Sequence, residues 1–182
     1  DYLTYWDYIH LDALLSLQNP RTSFPDEPIF IIYHQITELY FKLSITEMRQ
    51  LIDGDPDPEE FLMRMKRVNR YIMHLEDSFE IMVEGMDKTQ FLRFRMSLLP
   101  ASGFQSGQYR IIEILGTDFI NLVALDKREH LQADRPIAEL YEDIYWKYGA
   151  TELATGKKPL TLHHFEAKYS EEFIRTGEQV RD

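Results

Sequence analysis

The chain has 182 residues, 44% of them hydrophobic and 13% aromatic, which excludes bulk disorder and suits one compact domain with a substantial core. Its 31 acidic and 20 basic residues leave a net charge of −11, which disfavours nucleic acid and anionic membrane surfaces as partners. The absence of Cys excludes a disulfide framework, a thiolate metal site and a cysteine nucleophile, and is compatible with the expected cytoplasmic location.

No apolar run approaches the ~20 residues that span a bilayer, and the start of the chain does not read as a signal peptide. The first expected helix covers Tyr5 to Gln18, with Leu11, Leu14, Leu15 and Leu17 as its apolar residues and Pro20 beyond its end. Asn19 to Pro28 reads as a loop. A central helix is expected from Ile29 to Ile52, stopping at the acidic turn Asp53-Gly54-Asp55-Pro56-Asp57-Pro58. That turn is not a calcium loop: the sixth and twelfth positions, where Gly and Glu are needed, hold Pro58 and Arg64. The next helix, Glu59 to Glu84, carries the stripe Phe61, Met65, Val68, Ile72, Leu75, Phe79, Met82 at unbroken three- and four-residue steps. This period is the strongest structural signal in the chain and predicts a helical bundle.

Asp87 can cap a further helix with Phe91, Phe94, Arg95 and Leu98, which Pro100 ends. The loop P-A-S-G-F-Q-S-G-Q follows, and then a helix over Gln108 to Leu115. Pro136 stands at the start of a helix carrying Leu140, Ile144 and Tyr148, with Gly149 as its terminator. Thr161 to Val180 forms the last helix. No segment alternates with period two for long enough to need a strand. The expected fold is one all-α domain over residues 1–182, a helical bundle of long antiparallel helices.

Within the central helix, Phe30, His34, Thr37 and Phe41 share one face. Ile32, Ile36, Leu39 and Leu43 form a second stripe, so the helix is expected to be buried. His34 is then either a satisfied core residue or the polar group of a pocket. Glu38, four residues on, has a spacing that can hold a metal, but no second ligand pair accompanies it. His163 and His164 are adjacent and diverge by about a hundred degrees on a helix, so they do not chelate one ion. Phe91 and Arg95 make another i, i+4 pair; the guanidinium can either grip a carboxylate or bridge to one of the surplus acidic residues. The Ser102-Gly103 loop can bring backbone N–H groups to a ligand or simply connect two helices.

Four blocks in order carry a resemblance that the single signals do not. They are L-T-Y-W-D-Y-I-H-L-D-A-L-L-S-L-Q (residues 3–18), D-E-P-I-F-I-I-Y-H-Q-I-T-E-L-Y-F-K-L (26–43), F-L-R-F-R (91–95) and P-A-S-G-F-Q-S-G-Q-Y-R-I-I-E (100–113). Together they resemble the haem-dependent tryptophan 2,3-dioxygenase family, convincingly over residues 3–115 and loosely beyond. The resemblance implies an all-α homotetramer containing haem b. It implies insertion of O2 across the indole C2–C3 bond of L-tryptophan, giving N-formylkynurenine.

By motif, the resemblance makes His34 the distal histidine that accepts the indole N–H and Phe30 part of the haem and indole pocket. Ile31, Ile32 and Tyr33 fall in the same substrate segment. Arg95 binds the substrate carboxylate and Phe91 lines the wall. Ser102 and Gly103 lie beside the haem, and Tyr5, Tyr8 and Ile9 cover the pocket of a neighbouring subunit. The resemblance also implies a proximal histidine as iron ligand, in a C-terminal helix followed by a Gly/Ser-rich loop. His10, His74, His130, His163 and His164 do not sit in that motif, so no metal ligand is assigned. The chain starts at Asp1 without Met, and a piece of a longer protein is expected. Two other readings stay open: a haem enzyme of the same superfamily acting on another aromatic substrate, and a non-catalytic helical interaction module.

Overall fold

A computed structural model describes residues 2–99, 101–150 and 159–181, with only the backbone of residues 149 and 150. Pro100, expected to end a helix, lies outside these. The described residues are helical, in ten α-helices and two 3-10 turns, and the one β-bridge among them pairs Val123 with Ile144. The fold is all-α, as the periodicity predicts. The chain divides into two compact units, residues 1–40 with 72–99 and residues 41–71 with 100–182.

The first unit opens with two short helices, α1 (Tyr5–Tyr8) and α2 (Leu11–Leu14). The single helix expected over Tyr5 to Gln18 does not form. Thr4 caps α1 by accepting the Asp7 N–H at 3.3 Å, and His10 then adopts φ 51°, ψ 46°. A left-handed residue cannot continue a right-handed helix, so the chain breaks there.

Helix α3 (Asp26–Asp53) starts three residues before the expected Ile29. Pro28 falls in its first turn, where a missing N–H costs nothing. Glu27, fully buried, accepts the backbone N–H groups of Arg21 (2.7 Å) and Thr22 (2.8 Å) and the Thr22 hydroxyl. Burial pushes its carboxyl up, but these bonds and the Arg21 charge outweigh that and hold it below the ordinary carboxylate value. The entry loop is thereby pinned to the helix.

Helix α4 (Pro58–Gly85) forms where the stripe predicts it. In the first unit, Tyr33 of α3 meets Ser78 of α4 hydroxyl to hydroxyl at 3.0 Å. Helix α5 (Lys88–Leu98) is capped by Asp87, whose carboxylate accepts from the N–H groups of Thr89 and Gln90 at 2.8 and 3.0 Å.

Burial corrects two expectations. Ile32, Ile36, Leu39 and Leu43 of α3 are each 43–47% exposed, so the second stripe does not face a core. On α4, Val68 is buried, but Phe61, Met65, Ile72 and Phe79 are exposed. The period identifies a helix; it does not say that both of its apolar flanks find a cover in the same chain.

The second unit holds the main core. In it, α3 and α4 are tied through Glu47, which accepts from Arg64 at 2.9 Å and Arg67 at 2.8 Å. Helix α6 (Gly107–Gly116) packs against α10 (Leu160–Arg181). Between them in sequence come a 3-10 turn (Phe119–Leu122), α7 (Leu125–Arg128), α8 (Ile137–Glu142) and α9 (Tyr145–Ala150). The one helix expected after Pro136 is two, and Gly149 lies inside α9 rather than ending it. The break falls at Asp143, whose carbonyl accepts the Ala124 N–H at 2.9 Å, beside the Val123–Ile144 bridge. Pairing with the strand-like segment at 123–124 replaces the helical bond there.

Ile114, Leu140, Ile144 and Phe173, all fully buried, centre the core, with Trp146 and Phe165 edge-on to Phe173 or tilted against it. Two glycines permit this closeness. A Cβ on Gly107 would lie 2.6 Å from the Tyr169 ring, and one on Gly177 would lie 2.7 Å from Phe119 and 2.9 Å from Ile137.

Candidate functional site

The residues singled out on α3 and α5 meet within the first unit. The i, i+4 spacing brings the Phe30 and His34 rings together, tilted by 36° with centroids 4.0 Å apart. Phe91 of α5 lies 5.9 Å from Phe30, and the Arg95 guanidinium lies 6.0 Å from the Phe91 centroid. Imidazole, two phenyl rings and guanidinium thus form one continuous run across two helices. Phe94 completes it from behind. It is fully buried and meets Phe30 at 5.6 Å and Phe91 at 5.5 Å, both edge-on, an arrangement favoured by the ring quadrupoles.

His34 is exposed, which removes the reading of a satisfied core histidine. Its Nδ1 lies 2.8 Å from the Phe30 carbonyl oxygen. A carbonyl only accepts, so Nδ1 carries a proton, and in that tautomer Nε2 is the ring's acceptor. Arg95 is exposed and has no carboxylate partner among the described residues. The alternative in which it bridges to a surplus acidic side chain is therefore not what the fold does. An open acceptor and an open cation, joined by phenyl rings, can take a ligand with one N–H donor, an aromatic body and a carboxylate.

The other expected residues lie elsewhere. Tyr33 is half-buried and turned to α4: its hydroxyl meets Ser78 and its ring stands 6.3 Å from Phe79. Ile31 is half-buried, and Ile32 lies on the exposed stripe, about 200° around the helix from Phe30. Tyr5 and Tyr8 are 70% and 71% exposed, and Ile9 is partly covered. Ser102 and Gly103 belong to the second unit, where Ser102 caps a 3-10 turn (Gly103–Gln105).

Phe94 was not expected at the site, although its place one residue before Arg95 and three after Phe91 could have suggested it. A second missed cluster lies in the second unit. Arg110, fully buried, donates to Glu113 at 2.7 Å and to the Tyr145 hydroxyl at 2.6 Å. Its signal in sequence is the R-x-x-E spacing of α6, which gives an i, i+3 ion pair.

The family model described as Tryptophan 2,3-dioxygenase matches residues 2–132. A tryptophan 2,3-dioxygenase of Ruegeria sp. (strain TM1040) is 39% identical over 135 residues, covering 72% of this chain and 47% of that protein. One from Bradyrhizobium diazoefficiens is 38% identical over 153 residues, covering 78% and 53%. One from Sorangium cellulosum is 39% identical over 125 residues, covering 62% and 30%. This all-α chain, with its paired aromatic helices, belongs to the tryptophan 2,3-dioxygenase family. It spans about half the length, or less, of these curated relatives.

Proposed function

We propose that this chain carries the substrate-side wall of a haem-dependent dioxygenase acting on L-tryptophan. The reaction is insertion of O2 across the indole C2–C3 bond to give N-formylkynurenine, an oxidoreductase step in tryptophan breakdown. The observation that carries the reading is the run His34–Phe30–Phe91–Arg95, with an acceptor at one end and an unpaired cation at the other. Its chemistry matches the substrate group by group.

Indole is apolar with a single donor, and Nε2 of His34 is the single acceptor aimed out of an aromatic surface. The α-carboxylate needs a fixed cation that can donate two parallel hydrogen bonds, and Arg95 is free to do so. Because Nδ1 is already bound to the Phe30 carbonyl, His34 holds the substrate in one orientation and serves as a positioning group. Phe30 and Phe91 exclude water along the length of the indole.

Haem b supplies the oxygen chemistry when bound. The donor set of the first unit fits one side of such a group, with a phenyl ring and an imidazole presented from the same helix face. Phe30 and His34 are the residues of this unit that would face it. The iron ligand and a homotetramer with a site completed by Tyr5, Tyr8 and Ile9 of a neighbouring copy belong to this proposal on the strength of the family. So does a cytoplasmic setting. Among the described residues no helix is long and apolar enough to cross a membrane.

The deciding experiment is a haem titration of the protein followed by its absorption band, with and without L-tryptophan. Uptake of haem and a spectral change on adding L-tryptophan, but not on adding indole-free amino acids, is the expected result. A protein that takes up no haem, or whose spectrum ignores L-tryptophan, would overturn the reading.

A further inference from the structure

The polar cluster around Arg110 has no role in the ring run on α3 and α5, yet it lies directly beneath the loop of residues 102–106. A guanidinium that is 2% exposed must be paired and hydrogen-bonded to be tolerated. Arg110 meets most of that demand through one nitrogen. Nη1 donates to Glu113 Oε2 at 2.7 Å and to the Tyr145 hydroxyl at 2.6 Å, and the hydroxyl donates to Glu113 Oε1, also at 2.6 Å. This closes a three-membered ring of charge-assisted bonds between α6 and α9.

A second nitrogen, Nη2, reaches the backbone carbonyl of Phe104 at 3.4 Å, and the third, Nε, is buried without a hydrogen-bond partner among the described residues. Four aromatic rings enclose the guanidinium: Trp146 at 5.0 Å, Tyr109 at 5.4 Å, Tyr145 at 5.5 Å and Phe104 at 5.8 Å. Phe104 is thus held twice, through its carbonyl and through its ring, although its side chain is 73% exposed. The other bonds described for the loop are local. The Ser102 hydroxyl accepts the Phe104 N–H at 3.4 Å, Gln105 Oε1 accepts the Ser102 N–H at 3.2 Å, and Ser106 caps α6 at Tyr109. They shape the turn without fastening it to the core. Among the bonds described for this loop, the one that reaches the interior is Arg110's.

We propose that Arg110, braced by Glu113 and Tyr145, is a positioning residue that latches the Ser102–Ser106 loop to the core of the second unit. The inference rests on the reading above in one respect: the family resemblance puts Ser102 and Gly103 beside the haem, so the latch would set how that loop meets the group. Tyr145 is suited to a brace. Burial first, and then its bond to Glu113, push its hydroxyl up to about 12, so it keeps its proton and donates at every physiological pH. Lys at position 110 keeps the charge but not the fork; it cannot hold Glu113, Tyr145 and the Phe104 carbonyl in their present directions.

The test is backbone amide hydrogen exchange on the 182-residue chain, comparing wild type with Arg110→Lys and Tyr145→Phe. Arg110→Lys should speed exchange at Phe104, Gln105 and Ser106 by about tenfold, the size expected for one lost charge-assisted hydrogen bond. Exchange in the middle of α10, around Phe173, should not change. Tyr145→Phe removes one oxygen, is the gentler variant should the first fail to fold, and should loosen the same three amides by a smaller factor. The second readout is haem affinity, which should fall in both variants at a temperature where Tyr145→Phe, though less stable, is still fully folded. Loop exchange unchanged in both variants, or raised equally through α6 and α10, would overturn the latch. A loosened loop with haem affinity unaltered would also overturn the positioning role. Should the wild-type protein take up no haem, the functional reading fails, and loop exchange alone decides whether Arg110 is a latch.

Discussion

The two units use aromatic side chains in opposite ways. In the second, Phe173, Tyr141 and Trp146 are at least 95% covered and close on one another. In the first, Phe94 is the one buried hydrophobic residue among the described residues, and Phe30 and Phe91 beside it stay half open. Rings that close on themselves stabilise a fold by removing apolar area from water. Rings left open at one edge keep part of that gain in reserve for whatever covers them. The second unit closes its aromatics on one another, and the first leaves two of them partly open.

The sharpest way to break this comparison is to truncate one ring in each unit. Phe173→Ala should cost about 3–5 kcal/mol, the range for a buried aromatic, whereas half-buried Phe30→Ala should cost about 1.5 kcal/mol or less. Urea denaturation midpoints measure both, and equal losses would erase the distinction. Next in size is Arg95→Ala in the haem-loaded protein. It should raise the L-tryptophan requirement about ten- to a hundredfold, the range for one charged hydrogen-bonding partner, with haem uptake unaltered. Unchanged substrate affinity would remove Arg95 from the site.

A smaller effect attaches to Glu27. Its native carboxyl titrates below the ordinary value of 4.5, so its contribution to stability is present above that value and is lost as pH falls through the lower, native one. Thermal melts of Glu27→Gln should therefore lie below wild type near neutrality and converge with it in acid. A constant gap at every pH would show that the bonds to Arg21 and Thr22 do not depend on the charge. Least affected should be Ile36→Ala on the open stripe of α3, within about 0.5 kcal/mol for the single chain. A larger loss that grows with protein concentration would show a second chain lying on that stripe.

Most of the helices were legible because their apolar period extends over many turns. The three- and four-residue steps from Phe61 to Met82 locate α4 to within about a turn. What periodicity could not report was cover. Ile32 and Leu39 repeat like core residues, yet face solvent, because a stripe records that a helix is amphipathic and not which chain supplies the other surface. The two failed helices each break at a single residue. His10 takes a left-handed conformation, which His adopts more readily than most residues, and Asp143 gives its carbonyl to Ala124, far away in sequence.

In the candidate site, the pairs Phe30–His34 and Phe91–Arg95 were legible from i, i+4 spacing, and their meeting was suggested by motif. Phe94 was not, since a buried ring behind a site reads as ordinary core. The Arg110–Glu113–Tyr145 cluster was half legible. The first two members sit in one motif, but the third comes from α9 and only the fold brings it in.

Gly177 shows how little slack the second unit has. The α10 backbone passes so near Phe119 and Ile137 that a single methyl group on residue 177 would act as a wedge between three elements at once. Substitution there would force a choice between a straight terminal helix and a sealed interior. A library of variants at this position should return glycine almost alone.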